Sequence, residues 1–286
     1  MVFTGCVASS KGATLTCPWL LAVTIVVFKR VSCHDTTTAV SSCQLWLDGA
    51  DSSVQFTDAA GTTPVTKGTQ ALIKFWRDKS TKGNHVITWD VNNPTQMYFA
   101  VVFFFVGHWK YPSLINGRDA IANLPGAGVG MFFQNSRRPL SGKTAFTSFT
   151  VLIGQNVANN LCPLQAQSGD INWLLESGNT YECLGSPLGV RLKLTPSLVS
   201  KGLCVYSVRG SAASGTTTLS INGVDMQSGT FGTTAFTDYD LNIGYYGGWR
   251  FCGSLGEILL FDTHLTEATT PTFSGVVSFL KQKWSI

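Results

Sequence analysis

The sequence predicts an all-β sandwich or barrel that ends in one short C-terminal helix, and three observations predict it. Charged residues make up only 13% of the 286-residue chain, about half the ~25% usual in globular domains. Short apolar runs alternate with clusters of Gly, Ser, Thr and Asn, the pattern of strands joined by turns. Helical periodicity is persuasive only at the end of the chain. The length fits one large β domain or two small ones and is enough to bury a sizeable core.

In chain order, residues 1–43 read as an N-terminal arm and residues 44–286 as the sandwich domain. Within the arm, PWLLAVTIVVF at residues 18–28 falls short of the ~20 apolar residues a helix needs to cross a bilayer. Its length suits a signal-peptide core, yet only Lys11 precedes it as a cation, Lys29 and Arg30 follow it, and no A-x-A-like site comes next. A buried strand or docking arm, an uncleaved membrane or interface anchor, and a signal core therefore stay open for this segment. Membrane contact through residues 18–28 remains among the expectations.

Beyond the arm, YFAVVFFFV at 98–106 is a continuous apolar run, expected of a strand buried on both faces. Phe149 to Ile153 is a further strand. TTLSINGVDM at 217–226 is a hairpin in which Asn222 and Gly223 supply the positive φ angles of a type I′ turn. Leu241 to Tyr245 and Leu255 to Phe261 are expected to pair across a loop rich in glycine and aromatics. The helix follows, with Thr270 as its expected cap and Pro271 in its first turn. Phe273, Val276, Val277, Leu280 and Trp284 fall on one face, and Lys281 and Lys283 sit near the C-terminus, where they oppose the helix dipole favourably.

The stretch KFWRDKSTKGNHV, residues 74–86, concentrates potential chemistry. A phosphate loop needs glycines ahead of its Lys and Ser/Thr, whereas Gly83 follows them and no helical run comes next. A metal would need a third ligand beside Asp78 and His85, and nothing places one. The remaining reading is scaffold. Trp76 enters the core, Asp78 and Ser80 bind turn amides, and Gly83-Asn84 supply unusual backbone angles.

At this motif the chain resembles the concanavalin A-like, laminin-G-type lectin and glucanase sandwich domains. The resemblance rests on Trp76-x-Asp78-x-Ser80 followed by Gly83-Asn84-His85, and on LWLDGADSS at 45–53, which includes Trp46 and Asp48. FTSFTVLIG at 146–154 and the block from Leu241 to Ala268 with its terminal helix extend it. It implies an antiparallel jelly roll over 44–286, with an insertion at about 106–143. It also implies settings such as bacterial surface, phage and large DNA virus proteins.

Glycan-hydrolysing relatives of that fold carry a Glu-x-Asp-x-x-Glu strand, because one carboxyl group must protonate the leaving oxygen while another attacks or activates water. None of the 16 acidic residues forms that pattern. Asp238 and Asp240 sit in a turn-like TDYD, and Glu257 and Asp262 are out of phase. No Gly-x-Ser-x-Gly elbow precedes a helix. No catalytic residue, metal or cofactor is therefore expected. The net charge of +4 is dispersed, so nucleic acid is not an expected partner. The eight cysteines include no CxxC pair and lack zinc-site spacing, and disulfides and buried thiols both remain open.

What remains is binding. Few charges and a mean hydropathy of +0.16 suggest a surface covered by partners. The first expectation is a non-catalytic structural or assembly protein, a minor capsid or surface component of a virion, held by other subunits. The alternative is a glycan-binding adhesion module, and a glycosidase is a remote third. A virion or an extracellular surface is the expected location. If sugars are bound, the expected place is GYYGGWRFCG at 244–253, where Tyr245, Tyr246 and Trp249 offer flat apolar faces and Arg250 offers fixed donors.

Overall fold

The computed structural model describes residues 40–66, 71, 73–88, 98–99, 114–123, 133–135, 137–154, 161–166, 172–176, 180–184, 192–194, 202–236, 240–243, 245–246, 249–250 and 253–286. The arm before residue 40, with its 18–28 segment, lies outside them, as does most of the 98–106 run.

The strands are β1 (Cys43–Asp48), β2 (Gln55–Phe56), β3 (Phe75–Trp76), β4 (Val86–Thr88), β5 (Tyr98–Phe99), β6 (Leu114–Ile115), β7 (Arg118–Asp119), β8 (Ile121–Asn123), β9 (Phe133–Asn135) and β10 (Ala145–Gly154). They continue with β11 (Leu161–Ala166), β12 (Asn172–Glu176), β13 (Thr180–Leu184), β14 (Leu192–Leu194), β15 (Cys204–Ser211), β16 (Thr216–Ile221) and β17 (Val224–Thr230). The last are β18 (Leu241–Ile243), β19 (Tyr245–Tyr246), β20 (Trp249–Arg250) and β21 (Gly253–Phe261), followed by helix α1 (Phe273–Trp284).

Two antiparallel sheets make the sandwich that the composition predicts. The first runs β17-β16-β15-β10-β21-β8-β5, with β1 also on β21, and the second runs β14-β13-β12-β11-β18-β9-β4-β3-β2. Leu45, Leu47, Phe146, Ile258 and Leu260 of the first sheet share an inner core with Trp76, Val86, Leu241 and Ile243 of the second. The outer face of the first sheet is covered as well. Trp46, Phe149, Val151, Val205, Leu259 and Phe261 pack with Phe273, Val276, Val277, Leu280 and Trp284 of α1. All nine residues of β21 are buried, which is why that strand reads as an apolar run and not as an alternation.

The helix begins slightly later than the sequence suggested. Thr272, not Thr270, is its cap. The Thr272 side chain accepts a hydrogen bond from Gly275 N, and Pro271 precedes the cap instead of opening the first turn. The apolar face is the expected one, and Lys281 and Lys283 lie in the last turn.

The pairing of 241–245 with 255–261 does not form. β18 pairs with β11 and β9 in the second sheet, whereas β21 pairs with β10, β1 and β8 in the first. Leu241 and Ile243 meet Leu255, Ile258 and Leu260 across the core, so their side chains face one another instead of their backbones bonding.

The segment 106–143, read as an insertion, contributes to both sheets. β8 pairs with β21, and β9 lies between β18 and β4. It also contains the hairpin β6–β7, whose Asn116 (φ 47) and Gly117 (φ 79) make the same positive-φ turn as Asn222 (φ 53) and Gly223 (φ 85) between β16 and β17. Asn116 Nδ2 donates to the carbonyls of Trp284 (2.8 Å) and Ser285 (3.0 Å), satisfying acceptors that the end of α1 leaves open.

Candidate functional site

The 74–86 stretch is tied to β1 by one buried carboxylate. Asp78 Oδ1 accepts from Trp46 N and Ser80 N, both at 2.8 Å, and Oδ2 accepts from Ser80 Oγ at 2.6 Å and Asn84 N at 2.7 Å. Asn84 Nδ2 donates to Gln44 O at 2.6 Å, and Gly83 holds φ at +67°. His85 Nδ1 accepts from Asp78 N at 3.0 Å, and burial lowers the His85 pKa. This imidazole is an acceptor within a turn. Trp76 is fully buried, and its Nε1 donates to Asp48 O at 3.3 Å.

A second cluster was not foreseen as a unit. Glu257, fully buried on β21, accepts from Trp46 Nε1 at 2.7 Å on Oε1. Its Oε2 takes Trp284 Nε1 at 2.8 Å and Lys283 Nζ at 2.7 Å. Lys283 also meets Asp48 Oδ1 at 2.8 Å. Lys79 bridges Asp48 Oδ2 at 2.9 Å and Asp51 Oδ2 at 2.8 Å, and stands 4.7 Å from the centre of the Trp46 ring. Charges thus alternate from β21 through α1 and β1 to the 74–86 loop. Burial pushes the Glu257 pKa up and the negative charge of Asp48 adds to this, while Lys283 and Trp284 oppose it. Each of these two carboxylates is occupied by protein donors, so the cluster reads as a fastening. Its sequence signal was the lone acid in the apolar LGEILLF of β21, since a buried carboxylate requires partners.

Other acids and histidines are dispersed. Asp240 accepts from Arg138 Nε at 3.4 Å. His264 is half-buried, and burial followed by nearby Arg209 lowers its pKa. His34, His108 and Asp238 lie outside the described residues. Among the described residues, no three His, Cys, Asp or Glu gather as a metal would require. No helix there is long and apolar enough to cross a membrane. Cys204 is a buried thiol whose pKa burial pushes up to about 12.

The expected sugar loop forms a small hairpin of its own. It lies on the connection that leaves β18 in the second sheet and enters β21 in the first. In β19–β20, Tyr245 is opposite Arg250, and Tyr246 is opposite Trp249. Directly opposed residues share a face of a hairpin. The register therefore sorts the four candidates into an aromatic pair, Tyr246 with Trp249, and a mixed pair, Tyr245 with Arg250.

No protein-family model matches the chain, and no curated protein does. Among solved structures, the botulinum neurotoxin serotype D binding domain is similar at a TM-score of 0.49 and 12% identity, over 83% of this chain and 51% of that one. The binding domain of Paraclostridial Mosquitocidal Protein 1 gives 0.49 and 11%, over 85% and 52%. The botulinum neurotoxin serotype D/C binding domain gives 0.46 and 8%, over 84% and 52%. The chain spans about half the length of these structures.

Proposed function

We propose that this chain is a non-catalytic binding domain that recognises glycans, with the β19–β20 hairpin as its contact. The observation that supports this reading is the register that sets Tyr246 against Trp249 on one hairpin face, with Arg250 across from Tyr245. Aromatic faces cover the apolar side of a sugar ring, and a guanidinium offers donors in a fixed plane. Loops held by a rigid scaffold are where binding residues concentrate. Asp48 and Glu257, two acids that Lys283 joins, are both committed to that lysine.

One ring covering about 100 Å2 of a sugar contributes only ~2.5 kcal/mol. That corresponds to a dissociation constant weaker than about 1 mM, so adhesion requires several copies acting together. A multivalent glycan array probed with wild type and with Tyr246→Ala/Trp249→Ala tests the reading. Binding that the double change abolishes, with the fold retained, supports it. An array with no binding to any glycan rejects it.

A structural role in a particle or surface layer is the second reading, and the exposed apolar side chains of Val224 and Met226 favour it. Recovery of the protein in fixed stoichiometry with a large particle would support that role over the first.

A further inference from the structure

The sequence holds two Asn-Gly pairs, at 116–117 and 222–223. Such pairs are the most prone to deamidation, because glycine has no side chain to shield its own nitrogen. Both pairs form the same positive-φ turn, and both turns reach α1, but by opposite chemistry. Asn222 is half-buried and uses its oxygen, with Oδ1 accepting from Val205 N at 2.8 Å. A Cβ at Gly223 would stand 3.0 Å from Val277 Cγ1 of α1. Asn116 and Gly117 are exposed, and a Cβ at Gly117 would meet nothing within 4 Å. Asn116 uses its nitrogen, with Nδ2 donating to the carbonyls of Trp284 and Ser285 at the end of the helix.

Deamidation needs only water. The Gly117 nitrogen loses its proton and bonds to Asn116 Cγ, the carboxamide nitrogen leaves as ammonia, and a succinimide ring remains. Water opens that ring to aspartate or isoaspartate. The product side chain is a carboxylate, which accepts hydrogen bonds and donates none. An aspartate at 222 could still accept from Val205 N. At 116 the donor is replaced by a negative oxygen facing two carbonyls, at the negative end of the helix dipole. Isoaspartate also adds a main-chain carbon to a two-residue turn whose register is Ile115↔Arg118.

We infer that Asn116–Gly117 is a deamidation site, and that its conversion unfastens the C-terminal end of α1 from the β6–β7 hairpin. Ile115 belongs to the same apolar cluster as Leu280 and Trp284, so the lost tie lies beside packing that holds the helix on the first sheet. The Asn116 carboxamide must swing off its two carbonyls before attack, so conversion reports how often the helix end lets go. No part of this rests on glycan binding.

The test is incubation of the full chain at mildly alkaline pH, with peptide mass spectrometry following both asparagines and a urea-unfolded sample as control. In the folded chain Asn116 should convert several-fold faster than Asn222, whereas the two should convert alike when unfolded. Asn116→Asp represents one product. It should lower the melting temperature by at least about 2 °C and speed tryptic cleavage after Lys281 and Lys283. Asn222→Asp should change both less. An Asn116 that stays intact in the folded chain while the unfolded control converts overturns the site. An Asn116→Asp protein that melts and is cleaved like wild type, or no more readily than Asn222→Asp, overturns the unfastening.

Discussion

The indole of Trp284 fills the space that a side chain at Gly256 would need. A Cβ at 256 would stand 3.0 Å from both Cη2 and Cζ2 of that ring, and 3.0 Å from Val151 Cγ1. Gly256 is the extra residue of a bulge, since Val151 is opposite Glu257 while Leu152 is opposite Leu255. The bulge puts Leu255 and Ile258 into the same inner core and opens a seat for the helix on the other face.

Gly256→Ala should therefore destabilise the fold by about 1–3 kcal/mol, the usual cost of forcing atoms into a filled core. Urea unfolding measures this. Combined with Trp284→Phe, which shortens the ring, the loss should be less than the sum of the two single changes. Additive losses would show that the ring and the glycine do not meet.

Glu257→Gln leaves three N–H donors facing a single acceptor oxygen and should cost about 3–5 kcal/mol, as does breaking a buried ion pair. The pH dependence has a definite sign. The folded pKa of Glu257 lies above its ordinary 4.5, so folding takes up a proton there. This contribution to stability is full below 4.5 and is lost as pH rises through the folded value. The wild-type minus Glu257→Gln stability difference should fall across that window. A difference that grew with pH would contradict the assigned shift.

Asp78→Ala removes the acceptor of Trp46 N, Ser80 N, Asn84 N and Ser80 Oγ together. It should cost at least the ~1–3 kcal/mol of one stranded buried group, and Asp78→Asn should fall between the alanine variant and wild type. Neither Ca2+ nor Zn2+ should shift the melting temperature of the wild type. A metal-dependent rise that disappeared in Asp78→Ala would reassign the motif.

Trp76→Ala should cost about 3–5 kcal/mol, since the ring is fully buried between the sheets. The Cys204 thiol should resist alkylation at pH 8 until the chain unfolds, because burial denies it both the thiolate form and access. Mass spectrometry of the labelled peptide checks this against denatured protein.

Much of the architecture was legible because it depends on local chemistry. Asn222-Gly223 specified a hairpin, and the spacing of Phe273, Val276, Val277, Leu280 and Trp284 specified one helix face. The same Asn-Gly signal at 116–117 was present but was read as part of an insertion. The partner of β21 was misassigned because periodicity says which residues are apolar, not whether two strands bond side by side or face each other across a core. Lys283 and Glu257 could not be joined from sequence either, since the bulge at Gly256 sets which way the carboxylate points. For Tyr245, Tyr246, Trp249 and Arg250, composition suggested a sugar contact, and only the register shows which residues share a face.

The first described strand rests on the last. Trp46 is paired with Leu259, and Asp48 with Glu257, so among the described residues β1 has no ladder partner until β21 has been synthesised. Pairings this distant in sequence make closure slow, in the millisecond-to-second regime typical of β-sandwiches. During translation β1 can engage the 74–86 loop, through Asp78 and Lys79, long before β21 exists, so that loop would hold CQLWLD in place while its ladder partner is still to be made.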